Sequence, residues 1–343
     1  MQTSAFNPGQ TVNYLVESCG LVVLNYIGYE TSGRLIDAVK DFSELEHIVI
    51  VDNKSPNDSY ERLRKYECGK ISVIQSERNG GYSYGNNFGI KYLIENYHPD
   101  IIGIANPDVI FDNGLVKRIK EIFASHNDYA VLSGIQFDTQ GKIGGHPFWD
   151  NDREPVSMCM QAVSELLPFS SSRRRKRIRA YRNYIDGVVN SKTELNSVWA
   201  VEGSLFFIRT EDFEAAGMFD ENVFMYYEEN ILACKLHKLG KKVGIINTAT
   251  YIHAHIHADM PKNAGNTESK KTLNGLENPF RKKLFYASKA YYFRHYVSDS
   301  KTVYVFYLLL EKLCRLKEAI KLSGKKLHKK IFHCLKRQPV KII

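Results

Sequence analysis

The sequence predicts an α/β protein with a doubly wound, mostly parallel sheet and a helical extension after it. Along the first 140 residues, short apolar runs alternate with segments of helical spacing, and this alternation is typical of a parallel sheet with helices on both faces. Polar residues follow several of the runs directly, at the strand ends where such sheets bind ligands. Beyond residue 280 the pattern becomes basic and amphipathic, which predicts the helical extension.

The first half of the sheet is predicted as four strands that alternate with helices. Each run is apolar and short, as expected of a strand that is buried on both faces. We expect strands at 21–24, 48–52, 71–74 and 101–105, and helices near 31–42, 57–67, 86–96 and 113–125.

The second half is predicted to be less regular. A strand at 130–133 precedes residues 141–195, whose glycines, prolines and arginines predict an irregular, lid-like insertion. We expect the arginine-rich run 173–177 within it to be solvated. Regular structure returns as a pair of strands within 198–208, helices at 211–216 and 228–239, and a strand at 243–246.

Composition indicates a globular protein of the cytoplasm. With 343 residues and 43% apolar side chains, the chain can build one large domain or two packed lobes. The six cysteines have no spacing typical of a disulfide framework or a zinc site, which favours reduced thiols. The N-terminal segment lacks the pattern of a leader, and no run reaches the ~20 apolar residues that span a bilayer.

The net charge of +9 is unevenly distributed. Residues 280–343 contain 17 Lys or Arg against three acids, so this tail carries +14 and the remainder of the chain carries −5. A basic block of this kind predicts contact with an anionic partner. Nucleic acid and acidic lipid headgroups are both candidates.

Residues 76–110 predict a site for a nucleoside diphosphate. Gly80, Gly81 and neighbouring asparagines form a loop that lets the backbone turn tightly and approach a ligand. The helix that follows would present its N-terminus to an anion. A buried strand and then Asp108 complete the order of loop, helix, strand and carboxylate.

A family resemblance rests on five sequence blocks together with their order and spacing along the chain. They are LNY and YET at 24–26 and 29–31, VDNKS at 51–55, NGGY and GNN at 79–82 and 85–87, NPD at 106–108, and FMYYEE at 224–229. From about residue 20 to 257 the chain resembles the family 2 glycosyltransferases, which are inverting enzymes of GT-A fold, and in particular their bacterial rhamnosyltransferase-type branch. The resemblance implies transfer of a sugar from dTDP-rhamnose or a UDP-sugar to a hydroxyl of a surface glycan or a lipid-linked oligosaccharide.

The resemblance also implies where the nucleotide sugar lies, across the carboxyl ends of the early strands. Asp52 would accept a hydrogen bond from N3–H of uracil or thymine, and nearby asparagines would contact base, ribose and phosphate. The candidate nucleotide-sugar residues are Asn25, Tyr26, Asp52, Asn53, Ser55, Asn79, Gly80, Gly81, Asn87 and Asn106.

A divalent cation, Mg²⁺ or Mn²⁺, is implied at Asp108. The family commonly has Asp-x-Asp here, whereas this sequence has Asn106 at the first position. A single carboxylate predicts that the nucleotide completes the metal site. His253 is a second candidate ligand, and His255 and His257 are weaker ones.

Glu228 and Glu229 occupy the position where the family usually has Glu-Asp, with the second acid as general base. Glu229 is therefore the favoured base, and Glu228 remains an alternative because glutamate is one methylene longer than aspartate. The base would remove the proton of the acceptor hydroxyl as its oxygen attacks the anomeric carbon. Trp199, Glu202 and Gly203 are candidates for acceptor binding, and for Trp199 the sequence leaves a place in the core equally open.

These inferences divide the chain into a nucleotide-sugar part at 1–140, an acceptor part at 141–265 and a basic helical tail at 266–343. We expect the tail to hold the protein peripherally on the cytoplasmic face of an acidic membrane, without nucleic acid as a partner. Two alternatives remain open. A sugar-phosphate nucleotidyltransferase would need a glycine-rich start, which is missing near residues 21–31, and a nucleic-acid binder would need a groove-entering or base-stacking motif besides the basic tail.

Overall fold

A computed structural model describes residues 18–144, 154–166, 170–255 and 279–336. The chain forms two compact units. The first contains residues 18–144, 184–255 and 279–292, and the second contains 154–166, 170–183 and 293–336. The three-part division at 140 and 265 stays a prediction. The N-terminal segment and His257 lie outside the described residues.

The first unit is built on one sheet of nine strands. The strands are β1 Cys19–Asn25, β2 His47–Asp52, β3 Ile71–Gln75, β4 Ile101–Ala105, β5 Val109–Ile110, β6 Tyr129–Phe137, β7 Leu195–Val198, β8 Leu205–Arg209 and β9 Lys242–His253. Their order is β3-β2-β1-β4-β8-β6-β9-β5, and β7 also pairs with β9. Strands β3, β2, β1 and β4 are parallel, whereas β8 runs antiparallel to both of its neighbours.

Seven helices of the described chain belong wholly to the first unit. They are α1 Tyr29–Val39, α2 Ser59–Leu63 followed by a 3₁₀ turn Arg64–Tyr66, α3 Gly81–Tyr97, α4 Asn113–Ser125, α7 Thr210–Ala215, α8 Glu228–Lys238 and α9 Pro279–Tyr292. The second unit contains α5 Pro155–Leu166, most of α6 Ser170–Val189, a π-helical turn Phe293–Val297 and α10 Lys301–Lys336.

The sheet of the first unit is covered on both faces. Successive residues of the central strands belong to two different apolar clusters: Leu21 and Ile50 face one, and Val22 and Val49 face the other. This alternation follows from the two-residue period of a strand. Because each face must be covered by helices, the apolar runs predict the doubly wound arrangement that the structure has.

Three expectations from the sequence are wrong in detail. Residues 155–166 and 170–189 are helices rather than an irregular lid. In the second helix the arginines are good helix formers, and their charge hides a weak apolar pattern. The strands near 198–208 do not pair with each other, since β7 pairs with β9 and β8 with β4 and β6. Helix α3 begins at Gly81 rather than near 86, which places the glycine pair at its N-terminus.

The second unit contains α5 packed against α10. The Cys314 thiol donates to the Ala162 carbonyl at 3.3 Å, and Lys317 Nζ donates to the Glu165 carbonyl at 2.6 Å. Tyr307 is fully buried on the same helix and stacks on Phe293 with ring centroids 4.0 Å apart. Within the described part of the chain, no helix combines the length and the apolar character needed to cross a bilayer.

Candidate functional site

The antiparallel strands β4 and β8 bring distant parts of the chain together at the edge of the sheet that is formed by the carboxyl ends of the parallel strands. Ala105, the last residue of β4, pairs with Leu205, the first residue of β8. Next to this pair, the Asn106 amide donates to the Ser204 carbonyl at 2.8 Å. Because β8 runs antiparallel to β4, the residues before β8 lie beside those that follow β4. Residues 202–204 and 106–108 therefore share this edge.

Gly203 connects Glu229 to the same edge. The Gly203 amide donates to Glu229 Oε1 at 2.9 Å. A Cβ at position 203 would lie 2.2 Å from that oxygen, a distance at which no side chain fits without moving the carboxylate. Glycine thus allows the carboxylate to approach the backbone, and Glu229 lies at the edge that also contains Asp108.

Burial affects the two glutamates at the start of α8 differently. Glu228 is 5% exposed, its Oε2 has no hydrogen-bond partner among the described residues, and desolvation together with Glu229 raises its pKa well above the ordinary range. Glu229 is more exposed. Desolvation, with a smaller contribution from Glu202, raises the pKa of Glu229 to about 7, while backbone N–H groups oppose the rise. A partly accessible carboxyl with a pKa near 7 is suited to general base catalysis.

A strained turn precedes these glutamates. Tyr226 and Tyr227 have φ values of 75° and 69°, in the left-handed region that side chains with a Cβ rarely adopt. Such a residue costs on the order of 1–3 kcal/mol and persists only where its surroundings fix it. Tyr227 is the N-cap of α8, so the strain lies directly beside Glu228 and Glu229.

The glycine loop contacts this turn through its backbone. Gly81 has φ 88°, and a Cβ at this position would lie 2.0 Å from the Phe224 carbonyl oxygen. The next residue, Tyr82, donates its amide to the same Phe224 oxygen at 2.8 Å. The Tyr82 hydroxyl donates to the Gly203 carbonyl at 2.6 Å. Tyr82 therefore connects the glycine loop to both segments that surround Glu229.

Tyr82 is absent from the site residues predicted from the sequence, although it belongs to the NGGY block. Its position directly after two glycines is the only signal that the sequence offers. Because the partner of its hydroxyl lies 121 residues away, local pattern does not reveal the contact.

Asp52 organises the loop after β2. It is fully buried and accepts four hydrogen bonds, from Asn25 Nδ2 at 2.8 Å, the Ser55 amide at 2.9 Å, Ser55 Oγ at 2.6 Å and Gln75 Nε2 at 3.0 Å. Four donors occupy the usual acceptor capacity of a carboxylate. A contact between Asp52 and a base stays a prediction, and it requires that a donor such as Gln75 move away.

Asn53 joins the end of β2 to the glycine loop. Its Nδ2 donates to Asn79 Oδ1 at 3.1 Å and to the Gly81 carbonyl at 3.0 Å. Gly80, at the N-cap of α3, lies between these partners. Tyr26 differs from the buried asparagines because 42% of its surface is exposed, so its ring is accessible to a nucleotide.

Two candidates, Asn87 and Trp199, have contacts within the protein. Asn87 Nδ2 donates to the Phe219 carbonyl and to Glu221 Oε1, and its Oδ1 accepts from the Phe219 amide. Trp199 is 8% exposed and stacks on His237 with centroids 4.2 Å apart. Nucleotide-sugar binding by Asn87 and acceptor binding by Trp199 stay predictions.

A small cavity lies beside Glu202, the remaining acceptor candidate next to Gly203. Its wall is mainly apolar, with a few polar side chains. The lining includes Ile135, Gln136, Ile143, Ile185, Val188, Val201, Glu202, Ile245 and Tyr251. Glu202 also contributes to the raised pKa of Glu229.

Asp108 and His253 form a pair at the end of β4. Pairing of Val109 with His253 between β5 and β9 sets their approach, and Asp108 Oδ1 lies 3.1 Å from His253 Nε2. His253 Nδ1 is buried and has no hydrogen-bond partner among the described residues. The His255 ring lies against that of His253, with centroids 4.0 Å apart.

These side chains fit a divalent cation only as part of a larger coordination shell. In the described residues, no group of three His, Cys, Asp or Glu side chains is arranged to hold a metal ion. One carboxylate and one imidazole suit a cation such as Mg²⁺ or Mn²⁺ that takes further oxygen ligands from a bound diphosphate and water.

Part of the chain matches a known protein family, and known proteins are similar to it in sequence. Residues 20–185 match the model of glycosyl transferase family 2. Low-salt glycan biosynthesis hexosyltransferase Agl10 of Haloferax volcanii is 24% identical over 242 residues, which are 70% of this chain and 68% of the relative. Rhamnosyltransferase WbbL of Escherichia coli is 25% identical over 230 residues, which are 65% of this chain and 78% of the relative.

A solved structure shares the fold. The crystal structure of GalNAc-T7 with UDP, GalNAc and Mn²⁺ superposes with a TM-score of 0.51 at 15% identity, over 73% of this chain. The chain spans 46% of that protein's solved chain, so the likeness concerns the fold alone. The fold is the α/β GT-A type, as predicted from the sequence.

Proposed function

We propose, from the premise that residues 20–185 of this chain form a glycosyl transferase family 2 domain, that the protein is an inverting glycosyltransferase. It transfers a sugar from dTDP-rhamnose or a UDP-sugar to a hydroxyl of a surface glycan or a lipid-linked oligosaccharide. The contact between the Gly203 amide and Glu229 Oε1 carries the proposal, because it fixes a carboxyl of raised pKa at the strand edge that contains Asp108.

In this mechanism Glu229 accepts the proton of the acceptor hydroxyl. The acceptor oxygen forms its bond to the anomeric carbon on the face opposite the diphosphate, and the bond from that carbon to the diphosphate oxygen breaks. Asp108 and His253 would hold a divalent cation, and when bound it would offset the negative charge of the nucleoside diphosphate. The Gly203 amide stabilises the ionised form of Glu229 by donating to it.

The relatives' names and base chemistry support these donors. Uracil and thymine present the same N3–H donor, so both nucleotides fit the role proposed for Asp52. The Escherichia coli relative is named a rhamnosyltransferase, which makes dTDP-rhamnose the first donor to test and UDP-sugars the next.

Glu229→Gln tests the base, with Glu228→Gln as the matched control. We expect Glu229→Gln to lose transfer by a factor on the order of 10²–10⁴, because general base catalysis contributes that much. Donor binding, measured as a thermal shift, should stay unchanged in both variants. Normal turnover by Glu229→Gln would remove this residue from the base role, and loss only in Glu228→Gln would transfer the role to Glu228.

A sugar-phosphate nucleotidyltransferase is the competing enzyme class. That reaction releases diphosphate from a nucleoside triphosphate and a sugar phosphate, whereas the proposed one consumes a nucleotide sugar. We expect no diphosphate release from dTTP or UTP with sugar phosphates. Release at a rate above that of sugar transfer would favour the competing class.

We further propose that the second unit attaches the enzyme to the cytoplasmic face of an acidic membrane. One face of α10 is buried through Tyr307 and Leu310, but apolar residues at intervals of three or four positions remain at least half exposed on the helix. They are Phe306, Leu309, Leu313, Leu316 and Ile320. An exposed apolar stripe on an amphipathic helix is typical of insertion between headgroups.

The charge near this apolar stripe favours acidic lipid, rather than a second copy of the chain, as the partner that covers it. Lys312 and Lys317 are exposed on the same helix, and exposed Arg175, Lys176 and Arg179 belong to the same unit through α6. Positive residues beside the stripe would repel in a helix pair, whereas each contributes about 1 kcal/mol near an anionic surface.

Vesicle sedimentation tests the attachment. We expect the protein to bind vesicles that contain phosphatidylglycerol, to release at high salt, and to bind phosphatidylcholine vesicles weakly. Replacing Leu309, Leu313 and Leu316 together by Gln should abolish binding, while Met at the same positions preserves both helix propensity and binding. Equal binding to both kinds of vesicle would contradict an acidic lipid partner. A dimer of the wild type that is lost when the three leucines are replaced by Gln would contradict it as well.

A further inference from the structure

Helix α9 lies after the residues matched by the family model and packs on the strained turn before the candidate base. The Phe285 ring lies 5.7 Å from that of Tyr226 and 5.6 Å from that of Tyr227, as measured between centroids. Tyr292, which is fully buried, lies 5.1 Å from Tyr227. Aromatic side chains of this one helix therefore contact both left-handed residues.

A hydrogen bond joins the same helix to the backbone of the turn. Ser288 is 4% exposed, and its hydroxyl donates to the Met225 carbonyl at 2.8 Å. One turn further along α9, the Tyr291 hydroxyl donates to Asp220 Oδ2 at 3.0 Å. Leaving the buried Ser288 hydroxyl without a partner would be costly, and together the two bonds hold α9 at Met225 and Asp220.

The other side of the turn is held by the glycine loop. The Tyr82 amide donates to the Phe224 carbonyl, one residue before the carbonyl that Ser288 binds. Residues 224–227 are thus held between α3 and α9, and α8 with its two glutamates starts at the next position.

We propose that α9 positions the catalytic base, with Phe285 and Ser288 holding residues 224–227 in the conformation that directs Glu229 toward Gly203. The role assigned to Glu229 rests on the proposed function, whereas the restraint on the turn does not. Without these contacts, Tyr226 and Tyr227 relax to ordinary backbone angles, because the left-handed conformation persists only where the surroundings fix it. That relaxation rotates the first turn of α8 and moves the carboxylate.

Amide hydrogen exchange and transfer kinetics of the full chain test this inference. The variants are Phe285→Leu and Ser288→Ala, with Phe285→Tyr as the variant that keeps the ring. Phe280→Leu is the matched control, since Phe280 is on the same helix but 57% exposed. We expect exchange at residues 224–231 to quicken about 10-fold in the first two variants, as a local opening would require, and to stay unchanged in the other two.

Kinetics provide a second readout. Phe285→Leu and Ser288→Ala should lower kcat on the order of 10–100-fold while the KM for the donor stays within about 2-fold, because only the geometry of the base changes. The acid limb of the pH–rate profile should move to lower pH as water reaches Glu229. A uniform structural weakening would not move that limb.

The two proposals fail in different ways. Unchanged exchange at 224–231 in both Phe285→Leu and Ser288→Ala overturns the positioning role, even if the wild-type protein transfers sugar. Absence of transfer by the wild type with every donor overturns the proposed function, and the exchange experiment then still decides whether α9 restrains the turn.

Discussion

Gly203 excludes a side chain because the end of a carboxylate occupies its Cβ position. In Gly203→Ala, Glu229 can swing away at little cost to the fold, because the atom in conflict is the tip of a flexible side chain. We therefore expect transfer to fall on the order of 10²-fold from misplacement of the base, with the melting temperature nearly unchanged. A matching loss of stability, measured by thermal unfolding, would contradict this interpretation.

Gly81 excludes a side chain because a backbone carbonyl occupies the Cβ position and because φ is 88°. Neither the Phe224 carbonyl nor the left-handed conformation yields easily. Gly81→Ala should therefore destabilise the fold by about 1–3 kcal/mol, visible as a lower midpoint in urea. Gly141→Ala is a fair control, since its φ is also positive but the space at its Cβ position is open.

The pKa of Glu229 predicts how transfer depends on pH. The base acts only when it is ionised, and burial raises its pKa to about 7. We expect kcat to rise with pH and to level off above about pH 7. A rate that is already constant between pH 5 and 8 would show that no group of this kind limits the reaction.

The same pKa predicts how folding stability depends on pH. Between the ordinary glutamate value of 4.5 and about 7, the folded state binds the proton of Glu229 and the unfolded state does not. Stability therefore falls as pH rises through that window, by on the order of 1–3 kcal/mol. Glu229→Gln should unfold at a higher temperature than the wild type at pH 8, and the difference should shrink toward pH 4.5.

The residues of the site differ in how far the sequence could predict them. Glu229 and Asp108 could be proposed from the sequence because each belongs to a motif and lies at the start of a regular element or directly before one. The internal contacts of Asn87 and Trp199 could not be predicted, because the residue type alone does not show whether a polar or aromatic side chain contacts a ligand or another part of the chain. The role proposed for Ser288 could not be predicted from the sequence, because it depends on a contact with Met225, which is 63 residues away.

At the scale of elements, the parallel strands were the easiest to predict. β1, β2 and β4 are almost entirely buried, β3 is partly buried, and all four are short and separated by helices, so the period of the sequence predicted them. The antiparallel direction of β8 was not predictable, because apolar alternation is the same in both directions of a strand. That direction is what brings residues 202–204 beside 106–108, so the convergence of the site was inferred from the resemblance.

Helices α5 and α10 stabilise each other, and this limits which truncations are informative. Met158 is 1% exposed and Ala162 is 5% exposed, and the latter accepts from Cys314 of α10. We expect removal of residues 301–343 to lower helical content by more than α10 itself contributes, as measured by far-ultraviolet circular dichroism. A loss equal to α10 alone would mean that α5 persists without its partner.

At the scale of the whole molecule, the donor should stabilise only the unit that binds it. The candidate nucleotide residues all belong to the first unit. A donor at a hundred times its dissociation constant adds roughly 2.7 kcal/mol to the unfolding free energy of that unit. Calorimetry with dTDP-rhamnose or a UDP-sugar, with and without Mn²⁺, should raise the transition of the first unit, and a shift confined to the second unit would place the nucleotide elsewhere.

The second unit is assembled from segments far apart in the chain, since Cys314 and Ala162 are separated by 152 positions. During synthesis, α5 leaves the ribosome well before its partner has been translated, at rates of about 5–20 residues per second. For several seconds the apolar side of α5 therefore lacks its partner helix, and chaperones can bind it. Folding of the full chain should therefore be more sensitive to chaperone depletion than folding of the first unit alone. For this comparison, the first unit is expressed with a short linker in place of the inserted segment that contains α5.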